Sequence, residues 1–600
     1  MSKYILGFHG GLIGHDPNIC VLDIDSNHFI HIEEERLSRI KYGRDIDESC
    51  ITKDDNCVKF IKRLGIEWSD IEFIVYGRDL NCHPNNNLHS PSNYSIDSPY
   101  TQEFNYHKPI IGDINLNDLN KKMFLYDHYK IRNYLNKDVY FLNHHIAHGA
   151  YSYFTSQLFE ESIIFSYDGV GYEESFSMSM LGKGNSLSEF RDYPKLPIGF
   201  WYYALSQAIF KSLGKVPIFW EGKTMALSSY GEPIYLDAIR KKLYVEGDPF
   251  RSMNLIKLLG NNNFASDILS IISYFEQISD INKLRTIHCK MLDISYKKLS
   301  DFKFVANIAC SWQTYIEELV VECMIMLRDH YNIRNLCIGG GCGLNGIINY
   351  KLQEHFDNVY IPPATSDCGL SIGCALYGKH VILNKEVVDY GNIAFKGLFY
   401  HIEESFFDKY DVKSEKVDYH ILYKRIAKYI SEGKIIGWYQ GRSESGPRAL
   451  GNRSILADPT NKQIKEILNK RVKHREWFRP FAPSILKEYV GDYFDHVTDE
   501  KYMLKIAKVK KDKLDLIPSV IHIDNTARLQ TVSLEDNKHF YNLIKAFYNI
   551  TNVPILLNTS FNVAGEPIVE SPKDALDCFV STEIDVLVLQ DYIIFKNKNK

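Results

Sequence analysis

The chain has 600 residues, of which 45% are hydrophobic and 24% charged, and its formal net charge is −5. That length is too great for one hydrophobic core, so two or more domains are expected. The absence of a basic excess argues against nucleic acid as the principal partner, and no stretch approaches the roughly 18 apolar residues of a membrane-spanning helix.

The N-terminus, Met-Ser-Lys-Tyr-Ile-Leu-Gly-Phe-His, reads as neither a signal peptide nor an anchor, so a cytoplasmic protein is expected. The 12 cysteines are scattered without a Cys-x-x-Cys pair, fitting neither a zinc cage nor a disulfide framework, and are expected to be reduced core residues. Residues 4–10, 18–25 and 29–33 read as strands joined by Gly-rich and Asp/Ser/Asn turns, an antiparallel meander. His15 lies in its first turn, as an ordinary turn residue or an imidazole able to move a proton. Residues 81–120, rich in Asn, Ser and Pro, read as a surface excursion.

His144-His-Ile-Ala-His148 places His144 and His148 at i and i+4 on one helical face, the spacing two imidazoles need to share a metal. Such pairs also arise by chance, and His145 competes through its i, i+3 relation to His148. The strand-turn pattern recurs at 161–171, ending on Asp168-Gly-Val-Gly, and at 175–182, which suggests a duplicated α/β core. Glu221-Gly-Lys223-Thr superficially suggests the end of a phosphate loop, but position 217 is Pro where such a motif needs Gly, so a Walker ATPase is rejected. Residues 240–335 carry helical spacing, strongest from Trp312 onward.

Next, Asn335-Leu-Cys-Ile-Gly-Gly340-Gly341-Cys-Gly-Leu-Asn345 reads as strand, glycine loop and helix start, suiting a phosphate cradle or a tight turn without ligand. Asp367 precedes a glycine two residues on, so it can approach a ligand closely or merely cap a helix. A boundary is expected near 385–405, followed by a second α/β domain with strands such as 435–439 and 586–589. There, Glu444-Ser-Gly-Pro-Arg448-Ala-Leu-Gly-Asn-Arg453 offers two guanidinium forks suited to an oxyanion, or equally a solvated basic face. Lys473 and Arg479 follow among aromatic residues, and Asn558 and Ser560 end an apolar strand with amide and hydroxyl groups.

In this order, the segments resemble the O-carbamoyltransferase family, which includes nodulation-factor, cephamycin, tobramycin-type and saxitoxin-type carbamoyltransferases. The resemblance covers nearly the full length. It rests on Glu33-Glu-Glu-Arg-Leu-Ser-Arg-Ile-Lys, His144-His-Ile-Ala-His148, Asp168-Gly-Val-Gly, Glu221-Gly-Lys, Gly339-Gly-Gly-Cys-Gly-Leu-Asn345, Gly446-Pro-Arg-Ala-Leu-Gly-Asn-Arg-Ser-Ile-Leu-Ala-Asp, Phe478-Arg-Pro-Phe-Ala-Pro-Ser and Asn558-Thr-Ser-Phe-Asn.

The resemblance implies an α/β protein with a duplicated, actin-like ATPase (Kae1-like) domain at 1–395 and a YrdC-like domain at 396–600. The second would join carbamoyl phosphate to ATP, giving carbamoyl-adenylate, pyrophosphate and phosphate. The first would move the carbamoyl group to an acceptor hydroxyl. By the same match, Arg448, Lys473, Arg479 and Arg528 neutralise carbamoyl phosphate, and Asn558 and Ser560 orient it or the nucleotide. Lys223, Gly340, Gly341 and Asn345 belong to the nucleotide side. His144, His148, Asp168 and Asp367 hold a divalent metal, iron(II) by resemblance, although such ligands also suit zinc or manganese. His15 activates the acceptor hydroxyl or steadies the carbamoyl group.

The expected partners are a small hydroxylated metabolite and a second copy of the chain in a homodimer, with no nucleic acid and no membrane. Abundant Asn, Ile, Lys and Tyr suggest an AT-rich coding source, which favours a decarbamoyl saxitoxin-type alkaloid as acceptor. The competing readings are a threonylcarbamoyl enzyme acting on transfer RNA and an actin-fold ATPase without transfer activity. The chain departs from the family pattern at Pro17-Asn18 and at Ser445, differences expected to reflect the acceptor.

Overall fold

The computed structural model describes residues 3–10, 16–43, 55–77, 101–103, 137–169, 177–190, 196, 198–210, 221–243, 299–475, 477–497 and 499–597. His15 and most of the 81–120 stretch lie outside them. Among the described residues, eleven strands build the first part of the chain: β1 (Tyr4–His9), β2 (Asn18–Asp23), β3 (Phe29–Glu33), β4 (Ile71–Tyr76), β5 (Thr101–Glu103), β6 (Val139–Phe141), β7 (Ser162–Tyr167), β8 (Ser177–Lys183), β9 (Ser186–Phe190), β10 (Asn335–Gly339) and β11 (Asn358–Tyr360).

One sheet has the order β3-β2-β1-β4-β6, with an antiparallel meander followed by parallel pairs. The other repeats that plan as β9-β8-β7-β10-β11, again antiparallel through its first three strands and parallel thereafter. Identical order and direction in two sheets make this an actin-like duplication, as expected. Within the stretch read as a surface excursion, β5 instead adds to the sheet edge by pairing with β9. Thr-Gln-Glu carries no strand pattern of its own; the open edge of β9 supplies backbone partners.

Two helices exchange places between these lobes. His144–Phe154, buried throughout, packs on β7 and β10, whereas Leu370–Tyr377 packs on β1, β2 and β4. They cross so closely that a Cβ at Gly373 would stand 1.9 Å from the Ala147 carbonyl oxygen, which restricts the position to glycine. This crossing fixes the ends of both helices at the cleft between the sheets.

The C-terminal body contains β12 (Val412–Lys416), β13 (Ile436–Tyr439), β14 (Arg453–Ala457), β15 (Ala482–Leu486), β16 (Ile506–Lys508), β17 (Thr526–Arg528), β18 (Gln530–Val532), β19 (Ile555–Ser560), β20 (Val586–Leu589) and β21 (Tyr592–Lys596). Eight of them form a sheet of order β12-β21-β20-β13-β14-β19-β15-β18, and β16 pairs with β17. Their core, from Phe407 to Ile594, is continuous and distinct from those of the two lobes. Phe478 and Leu504 cross into the core of the second lobe, and Asn349 Nδ2 donates to the Leu504 carbonyl at 2.7 Å. Among the described residues no helix is long and apolar enough to cross a membrane, and every described cysteine is unpaired.

Candidate active site

The first lobe and the second meet in a cluster of four side chains that could hold a metal ion. Asn143 caps the His144–Phe154 helix by accepting the His145 N–H at 2.9 Å, so His144 and His148 occupy its first two turns on one face. Asp168 follows directly on β7, and Asp367 begins the turn leading into the Leu370–Tyr377 helix. The Nε2 atoms of His144 and His148 are 3.2 Å apart. Asp168 Oδ2 lies 3.3 and 3.0 Å from them, and Asp367 Oδ1 lies 3.5 and 3.3 Å.

Those separations decide whether a metal fits. With bonds of about 2.1 Å, neighbouring ligand atoms stand about 3.0 Å apart in an octahedron and about 3.4 Å in a tetrahedron. The four donors therefore converge as one coordination shell, with atoms all within 4.8 Å of one another. Burial favours the neutral form of His148, but the Asp168 and Asp367 carboxylates outweigh it and hold the imidazole up at about 9. Burial likewise raises Asp168, and its contacts with the two histidines outweigh that and bring it well below the usual carboxylate range. A divalent cation would neutralise these carboxylates in place of protons.

His145 is not part of the shell, because its Nδ1 is bonded to the Ser166 hydroxyl at 3.0 Å. His9, at the end of β1, stands beside it: its Nε2 is 4.0 Å from Asp367 Oδ2. A lone histidine ending a strand gave no sequence signal. Asn18 was read as a change tied to the acceptor, yet it is buried and structural. Its Nδ2 donates to the carbonyls of Asp16 and Asp367 at 2.6 and 2.8 Å, and its Oδ1 accepts the Ser371 N–H at 3.0 Å.

The glycine loop abuts this cluster. Gly340 has φ 92°, and a Cβ there would lie 2.1 Å from the Tyr167 carbonyl oxygen; at Gly341 it would lie 2.8 Å from Asp168 Oδ1. These glycines thus let the loop press against the residues that carry Asp168. Asn345, expected on the nucleotide side, already has partners in the fold. It caps the next helix, and its amide pairs reciprocally with that of Gln313 at 3.2 and 3.1 Å. Lys223 lies on the Glu221–Ser228 helix, half-buried.

A second constellation is cationic. Burial and the neighbouring Arg479 pull Arg448 down to about 10, and its Nε is buried without a hydrogen-bond partner among the described residues. Burial and Arg448 lower Arg528 strongly, with Glu500 offsetting part of the effect. Arg528 Nη1 donates to the Met503 carbonyl at 2.7 Å, and a Cβ at Gly346 would stand 3.4 Å from the same nitrogen. Arg448 thus feels the charges of both Arg479 and Arg528, an arrangement that suits an oxyanion.

The remaining residues of this region divide between ligand-facing and structural roles. Burial first, then Arg475, lowers Lys473, whose Nζ reaches the Ser560 hydroxyl at 3.1 Å and Asn562 Oδ1 at 2.6 Å. Lys473 therefore fixes the 560–562 turn while adding charge. Asn558 donates to the Ala449 carbonyl and the Ser484 hydroxyl at 3.2 and 3.1 Å, leaving its buried Oδ1 without a partner among the described residues. Arg453, paired with Arg448 as an oxyanion fork in the sequence reading, is instead structural. It stacks 3.5 Å from the Tyr439 ring centroid and donates to the carbonyls of Gln440, Asn452, Gly441 and Glu570. The loop itself is organised by Glu444, whose Oε1 accepts the N–H groups of Leu450, Asn452 and Arg453 at 2.9, 2.8 and 2.9 Å.

Two family descriptions match the chain: carbamoyltransferase N-terminus over residues 5–376 and carbamoyltransferase C-terminus over residues 427–596. The chain belongs to the carbamoyltransferase family. It is 31% identical over 603 aligned residues to the nodulation protein NolNO of Sinorhizobium fredii, covering 96% of this chain and 78% of that one. The uncharacterized protein MJ1058 of Methanocaldococcus jannaschii is 30% identical over 643 aligned residues, covering 97% and 98%. Among solved structures, full-length HypF in the phosphate- and nucleotide-bound form shares 15% identity with a TM-score of 0.30, over 63% of this chain and 46% of that one. Carbamoyl transfer is thus the chemistry that the family assigns to this carbamoyltransferase.

Proposed function

We propose that the carbamoyltransferase works in two steps, with a domain boundary at 395/396 dividing them. The observation that carries this reading is the separation of a buried arginine cluster from a converging His/Asp cluster. In the first step, Arg448, Arg479 and Arg528 hold carbamoyl phosphate, whose hydrolysis consumes water and releases phosphate and carbamate. A carbamate oxygen then attacks the α-phosphorus of ATP, and pyrophosphate leaves, giving carbamoyl-adenylate. Preorganised cations stabilise the charge that develops on the phosphoryl oxygens. Asn558 Oδ1 is assigned to accept the carbamoyl N–H, with Ser560 and Lys473 shaping that end of the site.

In the second step, an acceptor hydroxyl attacks the carbamoyl carbon, its proton passes to a base, and AMP departs. His15 is assigned that proton or the steadying of the carbamoyl group. His144, His148, Asp168 and Asp367 hold a divalent ion, assigned as iron(II), which supplies Lewis acidity and a template for the adenylate phosphate. Gly340 and Gly341 allow that phosphate close to the backbone, and Lys223 contributes charge. Enclosure between the domains keeps a readily hydrolysed intermediate from water.

The acceptor is assigned as a small hydroxylated metabolite, first a decarbamoyl saxitoxin-type alkaloid, and no nucleic acid or membrane partner is needed; a homodimer is compatible with this scheme. Incubation with carbamoyl phosphate and ATP tests it: pyrophosphate and carbamoyl-AMP are expected, whereas ADP would indicate an ATPase. A panel of alcohols then tests the acceptor, and product formed only on transfer RNA would overturn the small-molecule reading.

A further inference from the structure

The segment from His31 to Lys41 leaves the first lobe and grips the C-terminal body at two places. Glu33 Oε1 accepts the Gly446 N–H at 2.7 Å, and Arg36 Nη2 donates to the carbonyls of Gly446 and Glu444 at 2.8 and 3.4 Å. His31 Nε2 meets the Cys368 carbonyl at 2.7 Å, and its Nδ1 meets the Ser445 hydroxyl at 3.0 Å. A carbonyl only accepts, so Nε2 carries the proton and Ser445 donates to Nδ1. Three consecutive residues just before Arg448 are therefore held by side chains from the other domain.

Arg39 makes the second grip. Its guanidinium donates to the carbonyls of Ile568 and Pro567 at 2.6 and 3.0 Å and lies 3.9 Å from Asp574. Lys41 Nζ reaches the Glu566 carbonyl at 3.4 Å. That carbonyl also accepts Asn562 Nδ2 at 2.8 Å, and Asn562 in turn binds Lys473. One short segment thus holds both loops of the cationic site. Arg39 keeps a left-handed backbone, with φ 62°, a conformation disfavoured for residues other than glycine, so tertiary contacts must maintain it.

We infer that His31, Glu33, Arg36 and Arg39 are positioning residues for the anion site, by which the N-terminal lobe sets the geometry of the arginine loop in the other domain. This rests on the reading that Arg448 and its neighbours take carbamoyl phosphate. An interface that merely holds two bodies together would affect melting but not anion affinity. Misplacement of binding groups by about 1 Å costs up to about a hundredfold.

The test uses the full chain, with carbamoyl phosphate and inorganic phosphate titrated calorimetrically into Arg39→Ala, Arg39→Lys and Arg36→Lys, and with manganese(II) titration and thermal melting as controls. Arg39 is only half-buried, so Arg39→Ala decides the matter even where Arg36→Lys fails to fold. Arg39→Ala is expected to weaken carbamoyl phosphate about tenfold or more while manganese affinity holds, and Arg39→Lys to recover part of the loss. Binding within twofold of wild type in Arg39→Ala would overturn the inference, whatever the melting temperature. Wild-type protein that binds neither anion, or Arg448→Ala that binds them normally, would instead refute the underlying site.

Discussion

Gly340→Ala separates the two proposed steps with one methyl group. The backbone at this position has φ 92° and ψ 163°, a region open to glycine, and imposing it on alanine costs about 1–3 kcal/mol. The new Cβ would also stand 2.1 Å from the Tyr167 carbonyl oxygen, where real contacts stay beyond 3.0 Å, so 3.0 − 2.1 = 0.9 Å of movement is required. Tyr167 precedes Asp168, which is 3.0 Å from His148. Metal sites tolerate ligand errors of only about 0.2 Å, so the displacement suffices to break the shell. Metal loaded under anaerobic iron(II) or with manganese(II) should fall well below one per chain, while pyrophosphate release continues at the wild-type rate. A variant that stays folded and binds metal with wild-type stoichiometry and affinity would refute this reasoning. Loss of pyrophosphate release in a folded variant would refute the separation of steps.

Other perturbations probe each site in turn. His144→Ala and His148→Ala should each lower bound metal and stop carbamoyl transfer yet spare carbamoyl-adenylate formation; elemental analysis and a pyrophosphate assay on the same preparations check this. Arg448→Ala should lose a charge-assisted contact of about 1.5–3 kcal/mol, slowing pyrophosphate release by roughly tenfold to a hundredfold or more. Because its neighbours are like-charged, its melting temperature should not fall below wild type, and a large fall would mean that the arginine is structural. For metal-free protein, the raised His148 value means that stability from the protonated imidazole is complete below about 6.5 and is lost as pH rises through about 9. Metal must displace that proton, so manganese affinity should rise by up to about tenfold per pH unit between those values. A flat profile would contradict the assignment.

Local chemistry made much of the first-lobe site readable. Alternation and glycine turns marked β1 to β3 and β7, because a strand packed inside a sheet needs an apolar run with a turn at its end. The i, i+4 spacing of His144 and His148 placed both on one face of any helix. The glycine loop after β10 was legible because only glycine fits where Gly340 crosses Tyr167. Local chemistry alone showed Asp168 and Asp367 only as acids beside glycines; family resemblance named them as ligands, and β7 and the turn before the Leu370–Tyr377 helix bring them together.

Tertiary structure also decided among groups that look alike in a sequence. Arg448 and Arg453 share one motif, but Arg453 is satisfied by carbonyls and an aromatic face, whereas Arg448 sits beside other cations with a buried nitrogen unpaired among the described residues. Asn345 and Asn558 are both amides after apolar strands; one pairs with Gln313, and the other keeps an oxygen without a partner among the described residues. The Glu33-to-Lys41 segment identified a family, yet only the folded chain shows that it grips loops more than 400 positions away, such as Gly446 from Glu33. Periodicity and motif spacing reflect forces within a few turns of chain. Which polar groups remain unsatisfied depends on long-range neighbours, because in a buried site the cost of a charge is set by what stands within a few ångströms of it.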